Sequence, residues 1–318
     1  MIAAGIYLDL LIYADQPAGS QTTEKLIIVH PGQGFKAFSK RLHTSGIIQD
    51  RSKFELFAFI KGDDKRIKAG EYSLSSAMSP RKILEVLVSG KVRLYRITIP
   101  EGYNLRQIAT LVARPGLTTA TDFLKTANDS ALARAMGIDA ASFEGYLFPE
   151  TYYFPKNLTP EKVISTMINR FWSVFKPEWK QQAKALGLSV HQVVTLASII
   201  EKETGAAFER PLISSVFHNR LQRNMRLESD PTVIYGIKGY DGNITRKHLT
   251  TPTPYNTYAI VGLPPGPIAS PGIEALKAAL YPADTKFLYF VSKRDKTHQF
   301  STNIKDHNRA VRKYQLRK

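Results

Sequence analysis

The stretch VHQVVTLASIIEKET, residues 190–204, decides the fold of the larger part of the chain. Its apolar residues recur at helical spacing, and Ser189 stands immediately before it, where a helix N-cap is expected. The sequence therefore predicts a strongly apolar helix that other elements must cover. The residues that form its apolar face are Val193, Leu196, Ala197 and Ile200.

Other helical patterns surround this helix from about Thr118 onward, with only one strand predicted, at 287–291. The segment 230–272 is rich in Pro, Gly, Thr and Tyr. Because it is long for a structureless connection, we expect an ordered loop with a function. The predicted helices cover residues 124–136, 160–187 with a break near Pro177, 210–223, 273–281 and 304–316.

A pattern of strand, glycine turn and short amphipathic helix occurs twice, 70 residues apart. The first copy lies within 25–48, with Gly32 in the turn and Phe35 opening the helix. Gly102 and Leu105 take the same places in the second copy. Two copies are too few for a solenoid, and they suit a small α+β module with paired strands.

Composition limits the class of protein. With 318 residues, the chain suits one large domain or two moderate ones, and the absence of cysteine excludes thiol nucleophiles, thiolate metal sites and disulfides. The net charge of +17 favours an anionic partner, although a solvated basic surface is the alternative. Nucleic-acid-binding motifs are missing. No two of the seven histidines stand at metal-ligand spacing on a clear helix, so we expect no metal site.

Residues 1–14 are apolar except for Asp9, but they are too few to cross a bilayer, which needs about 20 residues. Two interpretations remain for this segment. It is either the distal end of a membrane anchor that starts outside this chain, or a short helix lying on the fold. We favour the anchor, followed by a linker at 15–23.

Two glutamates near the end of the apolar helix are candidates for proton transfer. Glu203 emerges on the side of Leu196, and Glu201 lies about 200° away around the helix. A carboxyl group at the edge of an apolar face loses hydration, which raises its pKa and suits a general acid. Spacing favours Glu203 over Glu201 only slightly. From spacing alone, a solvated helix end is the favoured interpretation of both glutamates, and catalysis is the alternative.

Two aromatic stretches, 146–154 and 170–179, offer rings that can stack on sugars, but we expect them to be core. The loop 262–272 is predicted to be a stiff turn, since no Lys-Ser or Lys-Thr follows it as in a phosphate-binding loop.

Eight motifs, in order across roughly two-thirds of the chain, resemble the endolytic murein transglycosylase family of bacteria, also called the YceG-like family. The N-terminal copies resemble the LysM-like part of the same family. The motifs are EGYLFPETYYF (144–154), LASIIEKET (196–204), ER (209–210), SVFHNRL (215–221), RLESDPTVIYG (226–236), TPYNTY (253–258), GLPPGPIASPG (262–272) and FSTNIKDHN (300–308).

The resemblance implies an α+β fold in which a small LysM-like module precedes a mixed, mainly helical catalytic domain. The expected divisions are an anchor and linker at 1–23, the module at 24–97 and the catalytic domain at 98–318. It also implies a single-pass protein of the inner membrane, with its body outside the cytoplasm. The implied partners are peptidoglycan glycan strands, the cytoplasmic membrane and peptidoglycan synthases, with no nucleic acid, metal or cofactor.

The same resemblance implies cleavage of the β-1,4 bond between N-acetylmuramic acid and N-acetylglucosamine inside glycan strands, leaving 1,6-anhydromuramoyl ends and terminating strand elongation. The family's catalytic residue is the second glutamate of Glu-Lys-Glu-Thr, which here is Glu203. The alternatives are a non-catalytic peptidoglycan-binding protein and, on charge alone, a nucleic-acid binder. Polar residues in the motifs are assigned to the substrate groove or, alternatively, to hydrogen bonds that hold the loops: Asn219, Arg220, Asp230, Tyr255 and Asn256.

Overall fold

The computed structural model describes residues 2–156, 158–237 and 239–316, and it divides the chain into two compact units. The first unit comprises Met1–Arg96 and Tyr153–Leu158, and the second comprises Ile97–Tyr152 and Thr159–Lys318. Helices dominate, and the described strands form three two-stranded sheets. The mixed α+β class predicted from the sequence is confirmed.

The first unit has a two-stranded antiparallel sheet, in which Ile27 lies opposite Tyr72, with helices packed around it. Its largest fully buried side chains include Phe38, Phe54 and Tyr72, which belong to one apolar core. The elements are α1 (Ile2–Asp15), β1 (Lys25–Val29), α2 (Phe35–Thr44), α3 (Arg51–Lys61), β2 (Gly70–Leu74) and α4 (Pro80–Ser89).

Local sequence explains where the helices of this unit begin and end. The Ser79 side chain accepts a hydrogen bond from the Lys82 backbone N–H, and Pro80 occupies the first turn of α4. Gly90 ends the helix in the left-handed region, at a φ of 72°. The same unit therefore shows a cap at the start and a glycine at the end of one helix.

Helix α1 packs on the first unit through its C-terminal part. Leu10, Tyr13 and Ala14 are buried in the core, and the Tyr13 hydroxyl donates to the Asp50 carbonyl at 2.7 Å. This part of residues 1–14 thus lies on the fold, as the second interpretation expects. Among the described residues, no single helix is both long and apolar enough to cross a membrane. One consecutive pair, Pro177–Ala185 with Val190–Glu203, meets that criterion jointly by length and composition only, with a 90° bend between them.

Both copies of the repeated pattern are present. In each copy a strand leads to a glycine with φ of 74°, Gly32 or Gly102, and then to a helix, α2 or α5 (Leu105–Ala113). The strands of the two copies do not pair with each other. Strand β1 pairs with β2, because α2 and α3 return the chain beside it, whereas β3 (Tyr95–Thr98) pairs with β4 (Thr151–Phe154).

The remaining elements all belong to the second unit, where β5 and β6 pair in antiparallel fashion. They are α6 (Ala120–Ala127), α7 (Ser130–Ala135), α8 (Pro160–Val174), α9 (Pro177–Ala185), α10 (Val190–Glu203), a 3-10 turn (Ala207–Glu209), α11 (Arg210–Gln222), α12 (Asp230–Gly236), α13 (Arg246–Thr250), α14 (Ile273–Leu280), β5 (Tyr289–Ser292), β6 (His298–Ser301), α15 (Ile304–Val311) and a π-helical turn (Arg312–Leu316).

Helix α10 is the central element of the second unit. Its capping box joins Ser189 and Gln192, which confirms the predicted start. Residues 193–200 are all buried, so the helix is covered on every side and not on one face alone. Its interior hydroxyls are satisfied within the helix: Thr195 donates to the His191 carbonyl at 2.8 Å and Ser198 to the Thr195 carbonyl at 2.7 Å.

Three predictions for the second unit were wrong in detail. The helix predicted at 124–136 is divided into α6 and α7, because the Asp129 side chain caps a new helix start at Ser130. The segment 230–272 contains two short helices, α12 and α13. Strand β6 was not predicted, and the π-helical turn follows α15 where one continuous helix was expected.

Most rings of the two aromatic stretches are buried in the core, as expected, but Tyr153 is exposed. Tyr146, Phe171 and Phe175 are buried core residues. The loop 262–272 is bound along its length to side chains of α10. His191 Nε2 lies 2.9 Å from the Pro265 carbonyl, Ser198 accepts from the Ile268 N–H at 3.0 Å, and Glu201 accepts from the Gly272 N–H at 2.9 Å.

We expect Gly145→Ala to lower the free energy of unfolding by at least about 2 kcal/mol, measured by urea denaturation. Gly145 has a φ of 83°, and an added Cβ would lie 2.4 Å from the Pro267 side chain and 3.1 Å from Val194 on α10. Gly5→Ala, in the exposed N-terminal part of helix α1, is the control, since nothing lies within 4 Å of its Cβ. It should keep or raise stability. Equal effects of the two variants would contradict this packing argument.

Candidate active site

The second unit contains an open cleft of about 430 Å³ with Glu203 in its wall. Glu203 is the last residue of α10, and the other walls come from the chain around α12, from β5 and β6, and from α15. The cleft is lined mainly by polar and aromatic side chains. They include Arg220, Glu228, Asp230, Tyr258, Tyr289, Ser292, His298 and His307.

Glu203 is partly exposed to the cleft, and the Ser229 hydroxyl donates to its Oε1 at 2.5 Å. Burial raises the pKa of Glu203 to about 7. The hydrogen bond from Ser229 opposes this rise, and the negative charge of Asp230 adds to it. The raised pKa predicted for a carboxyl at the edge of the apolar helix is confirmed. Near neutral pH this group can both donate and accept a proton.

Ser229 is itself held by a buried set of hydroxyls. Its backbone N–H donates to Thr257 Oγ1 at 3.0 Å, and its carbonyl accepts from the Thr232 hydroxyl at 2.7 Å. The two threonine hydroxyls lie 2.8 Å apart. Ser229, Thr232 and Thr257 are all buried, so the donor that contacts Glu203 has a fixed position.

Glu201 has different surroundings from Glu203. Its Oε1 lies 3.2 Å from Arg210 Nη2, and its Oε2 accepts from the Gly272 N–H at 2.9 Å. Only 6% of its side chain is exposed. Glu201 therefore joins α10 to α11 and to the loop 262–272, and it does not line the cleft.

Arg220 and Asp230 line the cleft together with Glu203. Asp230 accepts from the Tyr258 hydroxyl at 2.8 Å. The Arg220 guanidinium lies 5.0 Å from the ring centre of Tyr289, and its Nε and Nη1 donate within the protein. It donates to the carbonyls of Leu288, Arg226 and Leu227 and to the Glu228 carboxylate, at 2.7–3.1 Å.

The other three residues assigned from the sequence do not line this cleft. Asn219 donates to the carbonyls of Thr285 and Phe287, both at 2.9 Å. Asn256 is fully buried and donates to three carbonyls, of His248, Leu249 and Thr251, at 2.7–3.2 Å. Tyr255 packs on Tyr235 with ring centres 4.8 Å apart. The two asparagines thus donate to backbone carbonyls and hold the loops, as the alternative interpretation expects.

A second carboxyl group with a raised pKa lies outside the cleft. Burial raises the pKa of Glu144 to about 7, against hydrogen bonds from the Leu105 N–H and the Tyr235 hydroxyl. The Leu105 N–H lies 3.1 and 3.2 Å from its two oxygens, at the first residue of α5. Glu144 thus binds the N-terminus of that helix, a structural use of a carboxylate.

Several residues that line the cleft or contact Glu203 were missed by the sequence analysis. Ser229, Tyr258 and His307 lie in the motifs quoted above, but each motif has more polar residues than a groove can use. His298 was missed because the histidines were searched only for metal-ligand spacing. Both histidines could have been found from their positions, because His307 lies inside the late motif 300–308 and His298 lies just before it. This motif supplies part of the cleft wall.

Fold and cleft together define a two-unit α+β protein with one candidate acid–base carboxyl group in an open polar cleft. The sequence matches the model of the YceG-like family over residues 27–313. The chain belongs to the YceG-like family.

Bacterial relatives are similar over most of this chain. The endolytic murein transglycosylase of Bacillus subtilis (strain 168) is 32% identical, over 93% of this chain and 86% of the relative. That of Streptococcus pneumoniae serotype 2 (strain D39) is 29% identical, over 98% of this chain and 62% of the relative. The crystal structure of a YceG-like protein from Listeria monocytogenes superposes with a TM-score of 0.63 at 32% identity, over 91% of this chain and 99% of that one.

Proposed function

We propose that this protein is an endolytic murein transglycosylase, a lyase that cleaves the β-1,4 bond between N-acetylmuramic acid and N-acetylglucosamine within peptidoglycan strands. The observation that carries the proposal is Glu203, a carboxyl group of pKa about 7 that opens into a cleft. The curated names of the relatives from B. subtilis and S. pneumoniae support the same activity.

One carboxyl group suffices for this reaction. Protonated Glu203 gives its proton to the glycosidic oxygen as the bond from that oxygen to C1 of the muramic acid breaks. The resulting carboxylate takes the proton of the sugar's own 6-hydroxyl as that oxygen bonds to C1, so Glu203 ends protonated again. Most glycosidases need two carboxyl groups because water is the second reactant. Here the nucleophile belongs to the substrate and has a large effective molarity.

The cleft offers contacts for the sugar rings beside Glu203. Tyr258 and Tyr289 present aromatic surface, and Asp230 and Glu228 present exposed carboxylates. Aromatic faces pack on sugar rings, and carboxylates accept from sugar hydroxyls. An open cleft is also compatible with a strand that continues on both sides of the cleaved bond.

The wider role follows from the resemblance and is part of the proposal. Residues 24–97 act as a LysM-like module that holds glycan, and residues 98–318 are the catalytic domain. The exposed start of residues 1–23 belongs to the anchor of a single-pass inner-membrane protein whose body faces away from the cytoplasm, while Leu10, Tyr13 and Ala14 lie on the first unit. The protein ends nascent strands and works with peptidoglycan synthases. The exposed apolar side chains of α1, among them Ile6 and Leu8, and the net charge of +17 suit an anionic membrane surface.

The test is incubation with purified sacculi, followed by mass analysis of the released strand ends. New 1,6-anhydro ends are the expected result. Retention on sacculi without new ends would instead identify a non-catalytic peptidoglycan-binding protein. A protein that neither binds nor cleaves sacculi would overturn the proposal.

We expect kcat/KM on glycan strands to fall as pH rises through about 7, because the acid form of Glu203 is lost there. Asp230→Asn removes a neighbouring negative charge that raises the pKa of Glu203, so the alkaline limb should move to lower pH. A pH–rate profile of both proteins measures the shift. An alkaline limb that does not move, or moves upward, would contradict the assignment of that limb to Glu203.

A further inference from the structure

We propose that His298 contacts the bound glycan through its Nε2 atom and that the buried Glu209 is the residue that positions this imidazole. The inference rests on the proposed glycan cleavage and adds a substrate-contacting residue to it. Neither residue takes part in the proton transfers described for Glu203.

Glu209 holds His298 at two points. Its Oε1 accepts from the His298 backbone N–H at 2.8 Å, and its Oε2 lies 2.7 Å from His298 Nδ1. Glu209 ends the 3-10 turn before α11, and His298 is the first residue of β6, 89 positions later. Only 3% of the Glu209 side chain and 12% of the His298 side chain are exposed. The imidazole is therefore fixed in position by a buried carboxylate.

This contact sets the tautomer of the neutral ring. A carboxylate can only accept, so Nδ1 carries the hydrogen and Nε2 keeps its lone pair. His298 lines the same cleft as Glu203, and within the described part of the chain no protein group hydrogen-bonds its Nε2. The ring also packs edge-on against Phe290, with centres 5.4 Å apart. Nε2 is thus the ring nitrogen left for a ligand.

A sugar hydroxyl is the ligand group that this acceptor fits. Glycan strands carry hydroxyl donors along their length, and each one that enters a cleft needs a partner to replace water. Arg220, the neighbouring cation of the cleft wall, already donates to backbone carbonyls and to Glu228. A preorganised imidazole whose Nε2 is open to the cleft that Glu203 lines is therefore suited to orient a sugar.

Two other histidines of the second unit show what a structural role looks like. His191 has both ring nitrogens bound within the protein, to the Tyr146 hydroxyl at 3.0 Å and to the Pro265 carbonyl at 2.9 Å. His218 is buried, and its Nε2 lies 2.9 Å from the Ala279 carbonyl. In both cases Nε2 faces a backbone carbonyl, whereas that of His298 does not.

The test uses His298→Asn, because an asparagine amide takes the place of Nδ1 and can still donate to Glu209 but has no atom in place of Nε2. The probe is uncross-linked glycan strands prepared from sacculi, with Glu203→Gln in every protein to prevent cleavage. We expect about tenfold weaker binding with an unchanged melting temperature. The matched control is Gln299→Ala, the exposed next residue of β6, which should bind normally.

Glu209→Gln is the second variant. Its amide oxygen still accepts from the His298 backbone N–H, so its NH₂ group faces Nδ1 and donates to it. The ring hydrogen then moves to Nε2, which becomes a donor. Nitrogen-15 spectra of labelled histidine should show the exchanged tautomer, together with weaker binding. If the contact between Glu209 and His298 were purely structural, a change in the tautomer of His298 would not change the affinity for glycan strands.

The inference would be overturned if His298→Asn folds and binds the glycan strands normally. It would also be overturned if Glu209→Gln shows the exchanged tautomer but keeps normal affinity for the strands. If His298→Asn fails to fold, Glu209→Gln decides. Cleavage of sacculi by the unmodified protein is measured in parallel. If that protein cleaves and the variants bind normally, only the role of His298 is refuted, whereas a protein that neither binds nor cleaves refutes the proposed function itself.

Discussion

We expect Glu203→Gln to abolish the formation of 1,6-anhydro ends while the protein stays folded. Glutamine keeps the shape of the side chain, and its amide oxygen can still accept from the Ser229 hydroxyl, but it has no acidic proton to give. General acid–base catalysis contributes about 10²–10⁴-fold, and here one group performs both steps, so we expect a loss at the upper end or beyond. Mass analysis of sacculi digests measures it.

The same substitution should stabilise the protein above neutral pH. The pKa of Glu203 rises from 4.5 to about 7 on folding, so the folded state binds more protons between these values and stability falls as pH rises through that range. At pH 8 the partly buried carboxylate should destabilise the fold by up to about 3 kcal/mol, which Glu203→Gln removes. Urea denaturation at pH 4 and pH 8 should show a gain only at the higher pH.

Glu201→Gln is the matched control two residues away. It should retain substantial cleavage, because Glu201 contacts Arg210 and the Gly272 N–H and not the cleft. Its stability should fall, because the buried Arg210 loses a charged partner. If both variants were equally inactive, or Glu201→Gln alone were inactive, the assignment of the acid to Glu203 would be wrong.

Arg220→Lys should lower the free energy of unfolding by about 3–5 kcal/mol. The guanidinium satisfies three backbone carbonyls from two separate segments, and a single ammonium group cannot reach them with the same fork. Because Leu227, Glu228 and the residues of β5 line the cleft, kcat/KM should fall as well.

Urea denaturation measures the effect, and Arg223→Lys on the exposed end of α11 is the control. It should change stability by no more than about 0.5 kcal/mol. A loss below about 1 kcal/mol in Arg220→Lys would mean that water replaces the guanidinium at these carbonyls, contrary to the buried geometry.

Local patterns in the sequence predicted the elements whose cause is local. Helix α10 has an apolar period and a serine cap, and the two glycine turns need a positive φ that glycine adopts readily. The α6–α7 break was missed because a cap at Asp129 competes with continued helix, and only side-chain geometry decides between them. Strand β6 is four residues long with no clean alternation, so pairing with β5 defines it.

The candidate site was predictable only in part. Spacing put Glu203 at the edge of an apolar helix, but it took the family resemblance to choose it over a solvated helix end. Asn219 and Asn256 could not be separated from groove residues, because an amide within a motif serves a loop carbonyl and a ligand equally well. Glu209 and His298 stand 89 positions apart, and nothing local marks them as partners.

The hydroxyls behind Ser229 give the two oxygens of Glu203 different surroundings. Hydrogen bonds run in a closed ring from the Ser229 N–H to Thr257, from Thr257 to Thr232, and from Thr232 back to the Ser229 carbonyl. Each threonine hydrogen is used once in this ring, so none is directed at Ser229 Oγ, whose own hydrogen points to Glu203 Oε1. Oε2 has no such partner among the described residues, so the two chemically equivalent oxygens of one carboxyl group have different surroundings. The ring thus fixes one oxygen of Glu203 against a protein hydroxyl and leaves the other as the oxygen available to a ligand in the cleft.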